Sequence, residues 1–171
     1  EDMAIRQIWL NLSVAQPKLK SALLHSIAMV LDPPTLSDIQ NLNIPSNALS
    51  MRLFSSIGAV NNGDATELVL SLAKSPFIET RIGAYTLLAA FAKRGAGAQI
   101  LLTHAGFYEW LISREDETIK EGKEAKYKIV SAVVKSGAKS LLADDIVTNL
   151  EKYVRQGPYY VQTLRWDVAT E

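Results

Sequence analysis

His25 and His104 are the two histidines of the chain. A histidine can ligate a metal or relay a proton, but either task needs partner groups at fixed spacing. No His-Glu-x-x-His run and no second ligand pair accompanies them. His25 falls mid-helix beside an apolar stripe, where a structural role is expected. His104 falls in a linker and suits a turn or a cap. Glu115, Asp116 and Glu117 form one acidic cluster, Asp144 and Asp145 another. Paired carboxylates do acid–base work when burial separates their pKa values. Both clusters stand in polar sequence, so the first reads as a solvated loop and the second as favourable charge at a helix start. Gly95-Ala96-Gly97 follows a helix rather than a strand, so it reads as a loop and not a phosphate cradle. The absence of cysteine excludes disulfides, thiolate zinc sites and cysteine nucleophiles. The expectation is a protein without a catalytic centre, metal or cofactor.

Residues suited to holding a protein partner remain. The stretch 114–128 carries five basic and five acidic residues. It reads as a solvated loop and outer helix face, with a partner-facing surface of mixed charge as the alternative. Lys123, Lys126 and Tyr127 are the candidates there, and charge reversal at the two lysines is expected to weaken binding without unfolding. Arg155, Tyr159 and Tyr160 flank the Gly157-Pro158 stop. The two tyrosines either fold back on the last helix or anchor a partner, as interface aromatics often do.

The elements that must position these residues read as helices throughout. Of 171 residues, 48% are hydrophobic and 21% charged, a folded class with enough chain for one core. The net charge is zero, which gives no global pull toward nucleic acid or an anionic membrane. No apolar run approaches the length of a spanning helix. The chain opens at Glu1 with no leader pattern and reads as a fragment of a longer protein.

Spacings of three and four predict helices over residues 2–15, 18–31, 47–60, 65–73, 76–95, 97–103, 107–112, 121–136 and 143–156. A short turn is expected around Leu36 and Ile39. Asp64 is placed to cap one helix, with Glu67 in its first turn. No segment alternates with period two, so the fold class is all-α. The stretch 76–95 is apolar over most of its girth, with Gly83, Ala84, Ala89 and Ala90 interleaved. Such a helix is packed on several sides. Pro76 suits its first turn and Gly95 its left-handed end.

Shifting that helix by 42 positions aligns Glu79 with Glu121, Arg81 with Lys123, Tyr85 with Tyr127 and Gly95 with Gly137. A period of about 40–47 residues is that of armadillo and HEAT repeats. A weaker copy, residues 20–31, aligns at a shift of 61, so the array is irregular. The expected architecture is an armadillo/HEAT-like solenoid fragment of about three to four repeats over 1–156, with an extended tail over 157–171. The inner helices lack the repeated Asn of nuclear-import receptors, which speaks against that class.

Three stretches together resemble the C-terminal part of the 26S proteasome non-ATPase regulatory subunit 5 family. They are Pro76-Phe77 through Phe91, Glu124-Ala125-Lys126-Tyr127-Lys128-Ile129-Val130, and Gly157-Pro158-Tyr159-Tyr160-Val161, and the similarity spans roughly residues 75–161. The resemblance implies a non-enzymatic helical-repeat chaperone for assembly of the base of the proteasome regulatory particle. Its partners would be the C-terminal domains of the ring ATPase subunits, with no nucleic acid and no membrane. A monomer in the cytoplasm, and also the nucleus, is expected. The alternative is a general armadillo or HEAT adaptor for an unrelated protein partner.

Overall fold

The computed structural model describes residues 10, 12, 14–32, 47–58 and 63–161. The described residues form eight α-helices and one 3₁₀ turn, with no strand among them. The helices are α1 (Pro17–Leu31), α2 (Asn47–Ile57), α3 (Ala65–Ala73), α4 (Ile78–Ala92), α5 (Gly95–Thr103), α6 (Phe107–Ile112), α7 (Lys120–Lys135) and α8 (Asp144–Gln156), the 3₁₀ turn being Ala138–Leu141. The expected all-α class is what the protein adopts. Most of the predicted 2–15 helix, the turn around Leu36 and Ile39, and the tail from residue 162 lie outside the described residues.

Local chemistry sets most helix boundaries. Pro17 opens α1, where its missing N–H leaves no bond unmade. Asp64 accepts the Glu67 N–H at 2.8 Å and caps α3. Gly137, at φ +77°, ends α7 in the left-handed region that glycine enters without strain. Two expectations fail at α4. The helix starts at Ile78, so Pro76 lies before it rather than in its first turn. It ends at Ala92, and Gly95 opens α5 instead of closing α4. Lys93 keeps right-handed helical geometry, so the chain turns into α5 without a left-handed residue.

The core is built around α4. Ala84, Tyr85, Leu87, Leu88, Phe91 and Ala92 are all buried, which covers nearly its whole circumference. It packs against α1 on one side and α7 on the other, with α3 and α5 closing over it. Phe91 stacks on Phe54 of α2 with ring centroids 3.8 Å apart.

The three helices α1, α4 and α7 run parallel. His25 Nε2 lies 3.4 Å from Thr86 Oγ1, and Lys93 pairs with Asp32, both at a sequence separation of 61. That is the shift at which the two segments align. A Cβ added to Gly83 would sit 3.1 Å from Leu24 Cβ, so the missing side chain lets α1 and α4 approach. At the far end, the Cβ position of Gly95 is 3.2 Å from Ser136 O and 3.8 Å from Ala138 N. Gly95 is therefore level with residue 137, its partner in the 42-residue alignment.

Leu88 is fully buried at this centre. Leu88→Ala should lower unfolding free energy by about 2–5 kcal/mol, read from a urea or guanidinium melt. A change under about 1 kcal/mol would mean the α4 site collapses around the void.

Candidate protein-binding groove

A trough of about 1000 Å³ runs along α4 between α1 and α7. Its floor carries Ala28, Ile82, Ala89, Ala90 and Ala132, and its walls carry Met29 from α1 and Tyr127, Lys128 and Ser131 from α7. Glu121 and Glu124 line one end, and Asp32, Lys93 and Lys135 the other. The walls owe their separation to small residues on α4 and to a polar knot that joins α4 to α7.

That knot centres on Glu117, which is 2% exposed. Its carboxylate accepts from Arg81 Nε at 2.9 Å and Nη2 at 3.2 Å, from Tyr85 Oη at 3.1 Å and from the Ile119 N–H at 3.1 Å. Arg81 also donates through Nη1 to Ser75 O at 2.9 Å and Pro76 O at 3.2 Å. Gly122 faces this carboxylate, and a Cβ there would lie 2.2 Å from Glu117 Cδ. Burial raises the Glu117 pKa, but the Arg81 hydrogen bond and the Ile119 N–H outweigh it, and the value stays below the usual carboxylate range. Burial, and then the Glu117 charge, hold the Tyr85 hydroxyl well above its ordinary pKa.

Lys126 belongs to the same region and is 1% exposed. It donates to Ser113 O at 2.7 Å, lies 3.8 Å from Asp116 Oδ2 and sits 4.7 Å from the Trp110 ring centroid. Burial pushes its pKa down to about 8. Arg114 fastens the end of α8: it donates to Gly157 O at 2.8 Å and Tyr153 O at 3.2 Å, and its guanidinium lies 3.7 Å from the Tyr153 ring centroid. A cation there complements the carbonyl end of the helix.

The structure corrects two site readings. Glu117 is not part of a solvated loop but the buried partner of Arg81, 36 residues away. Lys126 presents no charge to solvent, so reversing it would bury a carboxylate against Ser113 O and unfold the chain rather than probe a surface. Lys123 is half-buried on α7 and Arg155 exposed on α8. Tyr127 lines the trough and donates to Val154 O at 3.3 Å. Tyr159 donates to Glu124 at the trough's rim, and Tyr160 lies with its ring centroid 5.4 Å from Arg114. Both tyrosines remain exposed, and they lie against α7 and the 114 loop. The six candidates therefore do not form one patch. The trough residues of α1 and α4 were missed; the signal for them was the 61-residue alignment itself, which sets α1 beside α4.

His25 Nδ1 donates to Ser21 O at 2.8 Å within its own helix. His104 lies 3.2 Å from Asp64 Oδ2 and 3.6 Å from Glu67 Oε2, over the start of α3. Asp144 and Asp145 occupy the first turn of α8. Among the described residues no group of three His, Cys, Asp or Glu side chains is placed to hold a metal ion.

The protein is thus an all-α stack with an open trough between parallel helices. Residues 3–171 match the family described as "Proteasome non-ATPase 26S subunit", and the chain belongs to that family. The match extends beyond the 75–161 region in which the resemblance was drawn. Curated relatives named 26S proteasome non-ATPase regulatory subunit 5 are similar to it. The Homo sapiens protein is 29% identical over 100 residues, covering 58% of this chain and 20% of the relative. The Bos taurus protein is 28% identical over 102 residues, covering 59% and 20%. The Drosophila melanogaster protein is 26% identical over 153 residues, covering 90% and 28%. The chain thus spans between about a fifth and just over a quarter of the relatives' length. No solved structure matches it.

Removing the knot's centre should be costly, because it strands Arg81 in a largely dry site. Glu117→Ala should destabilise by about 3–5 kcal/mol in a denaturant titration. The Glu117 contribution is present above the unfolded carboxylate pKa of about 4.3 and is lost as pH falls through the lower folded value. Glu117→Gln should accordingly flatten the acid limb of a stability–pH curve.

Lys126 gives a slope of the same sign in a more alkaline window. Its folded pKa of about 8 lies below the unfolded value of about 10.4. The unfolded chain binds the extra proton between them, so this group makes stability rise across that window. Lys126→Met should abolish the rise between pH 8 and the onset of tyrosine ionisation; a rise equal to that of the parent would assign it to another group.

Proposed function

We propose that this chain is a non-enzymatic protein-binding scaffold, the stacked-helix part of a chaperone for assembly of the proteasome regulatory particle base. Its partners are the C-terminal domains of the ring ATPase subunits. The parallel trio α1, α4 and α7 is read as the inner layer of an armadillo/HEAT-like solenoid, and α3, α5, α6 and α8 as its outer layer. The chain acts as a monomer, in the cytoplasm and also the nucleus.

The observation that carries this reading is the trough. Three helices from distant parts of the sequence line one open concave surface of alanines rimmed by charges of both signs. The side chains with the most displaced pKa values, Tyr85, Lys126 and Tyr159, are each tied up in a hydrogen bond, Tyr159 with Glu124 at the trough's rim. Tyr85 and Glu117 are hydrogen-bonded to each other, and Lys126 is held by Ser113 O. The family's non-ATPase relatives support a role in the proteasome rather than in nucleotide turnover.

Affinity purification of the tagged full-length protein from cell extract, followed by mass spectrometry, tests the reading. Enrichment of ring ATPase subunits is expected, together with direct binding of their recombinant C-terminal domains. Repeated recovery of a different partner, with no ATPase subunit, would replace this reading with the general adaptor.

A further inference from the structure

We propose that the trough receives a single α-helix of the protein partner, with an apolar face toward α4, a basic end over Glu121 and Glu124 and an acidic end over Lys135. The inference rests on the scaffold reading and adds the partner's chemistry to it.

Backbone hydrogen bonding decides between a helix and an extended segment. An extended chain brings an N–H and a C=O per residue that need partners once buried. The trough lining contains no Asn or Gln, and its floor is largely alanine. Three of its four hydroxyls are already engaged: Thr86 donates to Ile82 O, Tyr127 to Val154 O and Tyr85 to Glu117. A helix satisfies its own backbone and needs only an apolar seat. Alanine at Ala28, Ala89 and Ala132 supplies one, and small contact residues allow interaxial distances near the lower end of about 8–10 Å. From Ile82 to Lys93 the floor runs for about 16 Å at 1.5 Å per residue, which matches three helical turns.

Charge sets the direction. Glu121 is exposed and Glu124 half-buried at one end of α7, whereas Lys135 is exposed at the other. Lys93, also at that end, is paired with Asp32 and is closer to neutral in its field. The trough is therefore acidic at one end and basic at the other. An occupant with matching ends gains on both and is disfavoured when reversed.

The test titrates recombinant C-terminal domains of the ring ATPase subunits against the full-length protein by biolayer interferometry. Thr86→Trp fills the trough floor and should weaken binding about tenfold or more, with the circular-dichroism melt unchanged. Lys135→Glu should weaken it by about threefold to tenfold. A photo-crosslinking amino acid at Ser131 should label partner residues three and four apart on one helix. Labelling of an extended segment, or unchanged affinity of the Thr86→Trp protein, would overturn this inference while the scaffold reading stands. If no ATPase domain binds, the scaffold reading fails, and a synthetic helical peptide of about 12 residues with Lys at one end and Glu at the other becomes the probe. Binding that Thr86→Trp removes and a central proline weakens about tenfold would support a helix-specific trough. Equal binding of the proline peptide, or no binding at millimolar concentration, would overturn it.

Discussion

The architecture depends on one buried ion pair. Glu117 lies between two helices that share few sequence-local contacts, and it is held by Arg81, Tyr85 and the Ile119 N–H together. A carboxylate this dry is tolerable because every donor around it is used, and because the pairing with Arg81 is two-pronged. The consequence is geometric. Arg81 and Tyr85 sit on the first half of α4, and Glu117 lies in the loop that leads into α7. Their bonds set how far α7 stands from α4 and at what level. Gly122 is part of the same constraint, since any side chain there would occupy the carboxylate's place. The parallel stacking of α7 on α4, and with it the width of the trough, follows from this knot at one end and from the close Gly95 contact with the 136–138 backbone at the other.

Much of the fold was legible because its determinants are local. The girdle of Leu87, Leu88, Ala90 and Phe91 announces a helix with neighbours on several sides, and α4 has them. The Asp64 cap and the Gly137 stop are read within four residues of where they act. The alignments at 42 and 61 also carried more than they first showed. A shift of 61 looks irregular as a repeat length, yet it is the register in which His25 meets Thr86 and Asp32 meets Lys93. Insertions between helices change the spacing along the chain without changing the level at which parallel helices pack.

The site was harder to read, for the opposite reason. Nothing in Glu115-Asp116-Glu117 distinguishes the third carboxylate from its exposed neighbours; the difference is Arg81, 36 residues earlier. Lys126 sits in a run of charges on α7, and only the position of Trp110 and Ser113 O shows that its ammonium turns inward. Burial of a charge is a property of the partner supplied by tertiary structure, so a pattern of residue types overstates the solvated surface wherever such a partner exists.

These misreadings have a bearing on what the protein offers to others. The long basic side chain that looked available is tied up inside, and the helix face that looked like scaffold forms the floor of the concave surface. Tyr85 links the two roles, with its ring along the trough and its hydroxyl on Glu117. A partner pressing on the floor therefore presses on the same helix that the knot holds, and close packing leaves α4 little freedom to yield. In the proposed role the trough would be a preformed seat: the buried network fixes its shape, so ordering it on binding would cost little.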